Sequence, residues 1–171
     1  SALLYIARCS NVRVTGFGTL DGNGTVLRAM QAGPHACVVM DSSDVVLENV
    51  FLRDPASQNT HPVNVERFTA RNLKIIDNRN VLNTDGVDLS STRHALVEDC
   101  FIYTSDDAIV VKSYGKHKSF DILVNNAGIG RPAMLLNMTD EQWDVVIAVN
   151  QTAVFRATRA EHIWLVPVSA R

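Results

Sequence analysis

Four segments of this chain of 171 residues share one pattern: a short alternating run, a turn residue, and a second short run. The turn residues are Gly16, Asn49, Asn72 and Asp99, types that tolerate a left-handed backbone. They follow one another at intervals of 33, 23 and 27 residues. Repetition at such periods is typical of solenoids, in which each repeat stacks on the next one.

The alternation within each segment has period 2 and predicts β-strands. Alignment on the turn residue predicts four inward-facing columns, namely Val12, Val45, Phe68 and Ala95; Val14, Leu47, Ala70 and Val97; Phe17, Val50, Leu73 and Cys100; and Thr19, Leu52, Ile75 and Ile102. The residues predicted to point outward are Arg13, Glu48, Arg71 and Glu98. An ordinary β-sandwich is the alternative, but it leaves the regular Asn, Gly and Asp positions unexplained.

Two stretches interrupt the period. Residues 22–41 are predicted to form a loop or a short helix. Residues 58–62 are predicted to form an irregular link, with His61 as a surface or turn histidine.

Acidic residues concentrate in one part of the repeat. The stretch 83–88 contains Asp85, and the stretch 105–113 contains Asp106 and Asp107. Asp85 precedes Asp107 by 22 positions, about one coil, so we expect them on neighbouring strands roughly 4.8 Å apart. Carboxylates that share a field raise the pKa of at least one member, as acid-catalysed glycoside hydrolysis requires. The alternative is that Asp85 and Asp106 are turn formers.

Composition excludes several classes of protein. The net charge of −2 provides no broad basic face for nucleic acid, and no apolar run approaches the ~20 residues of a membrane span. Cys9, Cys37 and Cys100 lack Cys-x-x-Cys spacing, so we interpret them as free, mostly buried thiols rather than a zinc site or a disulfide frame. We expect neither a metal nor a cofactor.

Three stretches resemble the polygalacturonase-type pectinases over residues 9–114. They are Gly16-Phe17-Gly18-Thr19-Leu20-Asp21-Gly22-Asn23-Gly24, Asn83-Thr84-Asp85-Gly86, and Asp106-Asp107-Ala108-Ile109 with Lys112-Ser113. The resemblance implies a mainly β fold, a right-handed parallel β-helix, and inverting hydrolysis of an anionic α-1,4-galacturonan. It implies that Asp106 is the general acid and that Asp85 and Asp107 activate water. An anionic substrate requires positive groups near the cleft, and Lys112 is one candidate for substrate binding. The family is usually secreted, but the N-terminus has no signal-peptide pattern, so the compartment stays unknown.

The chain also departs from that family. The Gly-His-Gly and Arg-Ile-Lys motifs of the family's later coils are absent from these 171 residues. We therefore expect a truncated β-helix whose hydrolytic activity is weak or absent.

A different resemblance begins near residue 119. The run Phe120-Asp121-Ile122-Leu123-Val124-Asn125-Asn126-Ala127-Gly128 and the predicted helix with Trp143 and Asn150 are similar to short-chain dehydrogenases. Thr139-Asp140-Glu141-Gln142 predicts a capping box at the start of that helix. The resemblance implies that Asn125, Asn126, Ala127, Gly128 and Asn150 line an NAD(P) cleft. No glycine-rich first turn precedes this segment, which argues against a whole cofactor site.

The sequence thus predicts a chimera, with a truncated parallel β-helix over residues 1–116 and a C-terminal β-α unit over residues 117–171. The helix predicted over 140–158 is a candidate cap for the open end of the coil, and residues 161–171 fit neither family. Three functions stay open. They are a polygalacturonase-type hydrolase acting on galacturonan, an NAD(P)-dependent short-chain oxidoreductase fragment, and a chimeric or engineered non-catalytic β-helix that binds polysaccharide or serves as a scaffold.

Overall fold

The computed structural model describes residues 1–30, 33–78, 80, 82–114, 118–125, 139–148 and 152. The chain divides into two compact units, Ser1–Val124 and Asn125–Arg171.

The first unit contains three parallel sheets, and each of its first four coils contributes one strand to every sheet. The first sheet contains β1 (Ala2–Ala7), β4 (His35–Met40), β7 (Thr60–Val63), β10 (Val87–Ser90) and β13 (Ile109–Lys112). The second sheet contains β2 (Ser10–Val14), β5 (Ser43–Glu48), β8 (Glu66–Arg71), β11 (Arg93–Glu98) and β14 (Phe120–Asn125). The third sheet contains β3 (Thr19–Asp21), β6 (Phe51–Arg53), β9 (Lys74–Ile76) and β12 (Phe101–Tyr103).

Neighbouring strands of successive coils pair in parallel, which confirms the mainly β fold and the coiled arrangement. In the second sheet Val12 lies opposite Val45, Val45 opposite Phe68, and Phe68 opposite Ala95. This is the first predicted column, and Val14, Leu47, Ala70 and Val97 form the second with the same offsets. Phe68, Leu47, Leu73 and Ile75 are fully or almost fully buried in the core between the sheets.

The first coil departs from the predicted alignment after its turn. Leu20, not Thr19, lies opposite Leu52, and Phe17 is 82% exposed rather than stacked inward. Four residues separate Val14 from Thr19, whereas three separate their partners Leu47 and Phe51. Gly16 and Phe17 both have positive φ in this longer turn. The extra residue shifts the side-chain alternation by one position.

Left-handed residues recur at the same place in successive coils. Asn49, Asn72 and Asp99 have φ values of 58°, 47° and 55°, as predicted for the turn residues. The Asn72 amide donates to Asn49 Oδ1 at 2.9 Å, so stacked turns also bond to one another. The bends are therefore fixed both by backbone conformation and by side-chain hydrogen bonds along the stack.

The two stretches that interrupt the pattern are partly regular. Residues 22–41 contain α1 (Gly24–Ala29), as predicted, but also the strand β4. The link predicted over residues 58–62 is wrong, because Thr60–Val63 form β7 in the middle of the first sheet. His61 accordingly lies on a strand and is only partly exposed.

The dehydrogenase-like strand is part of the β-helix. β14 lies next to β11 at the edge of the second sheet, and Ile122 packs against the core. His94 Nδ1 lies 3.1 Å from Asp121 Oδ2, and its ring contacts Phe120 at 5.2 Å between centroids. Asp121 and His94, at φ 51° and 52°, occupy equivalent left-handed positions 27 residues apart. The domain division expected at residue 116 stays a prediction.

The second unit contains the helix α2 (Asp140–Ile147). Gln142 N donates to Thr139 Oγ1 and Thr139 N donates to Gln142 Oε1, each at 3.2 Å, which confirms the capping box. No helix among the described residues is long and apolar enough to span a membrane. The prediction that this helix covers the open end of the coil stays a prediction.

The outer face of the second sheet carries a row of alternating charges. The row is formed by Arg13, Glu48, Arg71 and Glu98, which point outward as predicted. Glu48, with a side chain only 6% exposed, contacts Arg13 at 2.5 Å and Arg71 at 3.8 Å. A buried carboxylate between two guanidinium groups links three successive coils.

We expect Glu48→Gln to lower the free energy of unfolding by about 1–2 kcal/mol. The amide keeps the volume of the side chain but loses the charge that both arginines contact. Chemical denaturation measures the change. Asp99→Asn, the same acid-to-amide change at an exposed turn, should stay within about 0.5 kcal/mol. A loss for Glu48→Gln no larger than this control would contradict the role of the row.

Candidate functional site

Strand pairing brings the predicted acidic residues into neighbouring coils. Val87 of β10 lies opposite Ile109 of β13, an offset of 22 residues. The backbone hydrogen bond from Gly86 N to Asp107 O, at 2.9 Å, extends this pairing to the residues before both strands. With the same offset, Asp85 and Asp107 occupy equivalent positions in consecutive coils.

Gly86 is required by this close approach. A Cβ atom at this position would collide with the carbonyl oxygen of Ala108 and with the Ile102 side chain. The glycine that follows Asp85 therefore allows the two coils to meet directly beneath the acidic residues.

Asp85 is the most enclosed of the predicted acidic residues, at 6% exposure. Burial raises the pKa of its carboxyl, and the nearby charges of Asp88 and Asp106 act in the same direction. The Lys112 ammonium opposes them, since it donates to Asp85 Oδ2 at 3.4 Å. The predicted rise of at least one pKa in this cluster thus falls on Asp85.

Asp106 and Asp107 lie on the exposed loop before β13. Asp107 N donates to Asp106 Oδ1 at 2.9 Å, and Thr104 Oγ1 donates to the Asp106 carbonyl at 2.8 Å. These bonds hold the loop in a defined turn with both carboxylates accessible. The roles predicted for Asp85, Asp106 and Asp107 stay predictions.

Lys112, predicted to contact substrate, forms ion pairs within the protein. Its ammonium donates to Asp88 Oδ2 at 2.9 Å and more weakly to Asp85 Oδ2 at 3.4 Å. Burial tends to lower the pKa of Lys112, but the bond to Asp88 and the two carboxylate charges outweigh it, and the pKa is raised. Lys112 is therefore protonated and already neutralises part of the acidic cluster.

The sequence prediction missed Asp88, which is only 1% exposed. Val87 and Leu89 belong to the core, so alternation places Asp88 and Ser90 on the opposite, outer face of the sheet. No signal in the sequence indicated its burial, since an acidic residue between two inward-facing residues is the ordinary alternation of a strand and its enclosure depends on side-chain packing.

Two histidines also lie near this face. His61 Nε2 is 2.9 Å from Ser90 Oγ, and the rings of His61 and His35 meet edge to face at 5.4 Å. Burial lowers the pKa of both imidazoles. Near neutral pH these rings therefore add little positive charge to the site.

A second buried acid directly follows β9 of the third sheet. Asp77 is 4% exposed and accepts a hydrogen bond from Asn59 Nδ2 at 3.0 Å. Burial, helped by the charge of Asp54, raises its pKa to about 7 despite the Asn59 bond. Asn59 also donates its backbone N–H to Asp85 O at 2.8 Å, so one residue connects both buried acids.

The residues predicted for a nicotinamide cleft cannot be placed together. Asn125 is the last residue of β14, while Asn126, Ala127, Gly128 and Asn150 lie outside the described residues.

Among the residues that the structure describes, metal ligands and cysteines give no further site. Within the described part of the chain, no group of three or more His, Cys, Asp or Glu residues has the arrangement of a metal site. Cys37 and Cys100 are buried thiols and Cys9 is an exposed one.

Comparisons with known proteins support the resemblance to polygalacturonases. The sequence profile of Glycosyl hydrolases family 28 matches residues 1–133. A probable polygalacturonase from Vitis vinifera is 29% identical in an alignment of 121 positions that covers 66% of this chain and 25% of that protein. The solved polygalacturonase from Erwinia carotovora superposes with a TM-score of 0.66 at 22% identity, over 73% of this chain and 39% of that one.

The comparisons also support the second resemblance. The 3-oxoacyl-(acyl-carrier-protein) reductase FabG of Thermotoga maritima is 52% identical over 50 residues, which are 29% of this chain and 19% of the reductase. The chain thus spans about a quarter of the grapevine relative and about a fifth of the reductase. It carries segments similar to two unrelated classes of protein.

The buried acid Asp77 predicts a measurable pH dependence of stability. Its pKa is about 7 in the folded protein and 3.8 ordinarily, so between these values the folded state holds a proton that the unfolded state has lost. The free energy of unfolding therefore falls as pH rises through this range, by about 1.4 kcal/mol for each pH unit between the two pKa values. Asp77→Asn removes the ionisable group, so we expect it to be more stable than the wild type near pH 8 and similar near pH 4.

Urea titrations of both proteins at several pH values measure this difference. Asp99→Asn serves as the control. It retains Asp77, so its stability should fall with pH as that of the wild type does, and the difference between the two should not follow the Asp77 titration. A constant difference between Asp77→Asn and the wild type from about pH 4 to pH 8 would contradict the assignment.

Proposed function

Because the chain belongs to glycosyl hydrolases family 28, we propose that the acidic cluster at the start of β10 and β13 is a glycosidase site for galacturonan. The cluster consists of Asp85, Asp88, Asp106 and Asp107. One observation carries the proposal. The bond between Gly86 N and Asp107 O aligns the Asp85 coil with the Asp107 coil. The proposal is supported by this backbone pairing, which puts a buried carboxyl and two exposed carboxylates in neighbouring coils, and by the Asp106 charge, which acts on Asp85.

The proposed reaction is the inverting hydrolysis of an α-1,4 linkage. Asp106, exposed on its loop, donates a proton to the leaving glycosidic oxygen. Asp85 and Asp107 take a proton from the water that attacks the anomeric carbon from the opposite face. The bond to the leaving sugar breaks as the bond to water forms, so the product has the opposite anomeric configuration.

A second assignment exchanges the acid and the base. Asp85 is the carboxyl whose pKa is raised by burial, and a general acid must keep its proton near the working pH. In this assignment Asp85 donates the proton and Asp106 activates water. The pH dependence of the residual activity of Asp85→Asn and of Asp106→Asn distinguishes the assignments. The loss of activity as pH falls reports protonation of the general base, so it should disappear in the variant that lacks this base.

Electrostatics favour weak activity. Among its described residues the cluster has four acidic side chains but one ammonium, that of Lys112, which pairs with Asp85 and Asp88. An anionic polymer therefore approaches a site of the same sign. The Gly-His-Gly and Arg-Ile-Lys motifs are not in the sequence to offset that repulsion.

Release of reducing ends from polygalacturonate tests the proposal. We expect slow release by the wild type, at least about 100-fold slower release by Asp106→Asn and by Asp85→Asn, and no change in Asp99→Asn. The anomeric configuration of the first product, read by proton NMR, should be β. Undiminished release by either variant of the cluster, or no release by the wild type, would contradict the proposal.

The same proteins separate the two other functions. Binding of NAD(H) or NADP(H) measured by calorimetry would favour an oxidoreductase fragment. Binding of polygalacturonate without release would favour a non-catalytic β-helix.

A further inference from the structure

The outer face of the first sheet contains a buried carboxylate that the proposed reaction does not use. Asp88 is 1% exposed and lies on β10 next to Lys112 of β13. Its Oδ2 accepts from the Lys112 ammonium at 2.9 Å, and its Oδ1 has no hydrogen-bond partner among the described residues. A buried carboxylate with this contact depends on the ammonium for its stabilisation.

We propose that Asp88 is a positioning residue that holds the Lys112 ammonium between two carboxylates, so that Asp85 receives only part of its positive charge. The inference rests on the proposed function, because it concerns the ionisation of Asp85 in the same site. It assigns Asp88 no contact with substrate.

The distances show that the Lys112 ammonium is shared unequally between Asp88 and Asp85. Lys112 Nζ lies 2.9 Å from Asp88 Oδ2 but 3.4 Å from Asp85 Oδ2, so the shorter contact is with the residue outside the proposed reaction. Backbone pairing fixes this arrangement, since Ser90 lies opposite Lys112 and Asp88 lies opposite Val110. The lysine stem therefore reaches back along β10 towards both acids.

Other charged groups near Asp85 do not replace Lys112. Asp106, on the neighbouring loop, acts on Asp85 with a charge of the same sign. His61 of β7 lies near Asp88, but its Nε2 contacts Ser90 Oγ, and His35 contacts the His61 ring. Burial keeps both imidazoles neutral near pH 7 by lowering their pKa.

The arrangement has a consequence of definite sign. Removing the Asp88 charge eliminates a repulsion that favours the neutral form of Asp85, and it releases the ammonium to pair with Asp85 alone. Both effects lower the pKa of Asp85. Removing the Lys112 charge acts in the opposite direction and raises it. A residue that only filled space would change stability without moving the pKa of Asp85 in either direction.

NMR titration of the aspartate carboxyl carbons tests the inference, with Asp85 assigned by its loss in Asp85→Asn. We expect Asp88→Asn to lower the pKa of Asp85 by on the order of one unit, and Lys112→Gln to raise it. Asp99→Asn, the matched change at an exposed turn, should leave it unchanged. If Asp88→Asn does not fold, titration of the Lys112 ammonium in Asp85→Asn tests the same point. Its pKa should stay above the ordinary value, because Asp88 still holds the ammonium, and a fall to the ordinary value would overturn the inference.

An unchanged or raised pKa of Asp85 in Asp88→Asn would overturn the inference, as would an unchanged pKa in Lys112→Gln. The measurement requires no substrate, so its outcome is independent of hydrolysis. Release of reducing ends with an unmoved pKa would leave the proposed function standing without this role for Asp88. A lowered pKa of Asp85 in Asp88→Asn without any release of reducing ends would support this role of Asp88 and contradict the proposed function.

Discussion

Parallel backbone pairing between successive coils is the constraint on which the rest of this structure depends. The coils differ in length, yet the strands keep their partners, because the additional residues are accommodated between strands. The longest interval contains α1, whose first residue, Gly24, leaves no space for a Cβ beside the carbonyl of Pro55. Every inward column and every outward row follows from this pairing.

The same pairing determines the electrostatics of the outer faces. On the second sheet it produces an alternating row, in which Glu48 lies between two arginines. On the first sheet it brings the ammonium of Lys112 next to two carboxyl groups, those of Asp85 and Asp88, and one positive charge cannot neutralise both. The first arrangement stabilises the fold. The second retains carboxyls whose protonation responds to their neighbours, which is a requirement for acid-base chemistry and a disadvantage for binding an anionic polymer.

Much of the fold could be predicted from the sequence because its strands alternate cleanly. The columns through Phe68 and Leu47 and the turns at Asn49 and Asn72 needed only periodicity and turn chemistry. The strands β4 and β7 were not predicted, because their sequences lack the alternation of polar and apolar residues. β4 is a continuous apolar run, and β7 contains Pro62 in the centre of a sheet, where proline is rare.

The candidate site was predictable only in part. Spacing identified the coils of Asp85 and Asp107, but Asp88 and the short contact of Lys112 depend on side-chain packing. The segment 120–125 shows a second limit. Its resemblance to a dehydrogenase strand is local, whereas its place beside β11 is decided by the apolar edge that Ile122 covers. Local sequence likeness specifies a strand, and tertiary contacts select its partner.

The central claim is that the coils of Asp85 and Asp107 are adjacent and in register. Amide-proton NOE measurements on uniformly labelled protein test it most directly. We expect cross-coil NOEs from the Gly86 and Val87 amides to the α-protons of Asp107 and Ala108, since these backbone groups bond at 2.9 and 3.0 Å. Only sequential NOEs from those two amides, or NOEs to a strand at a different offset, would contradict it.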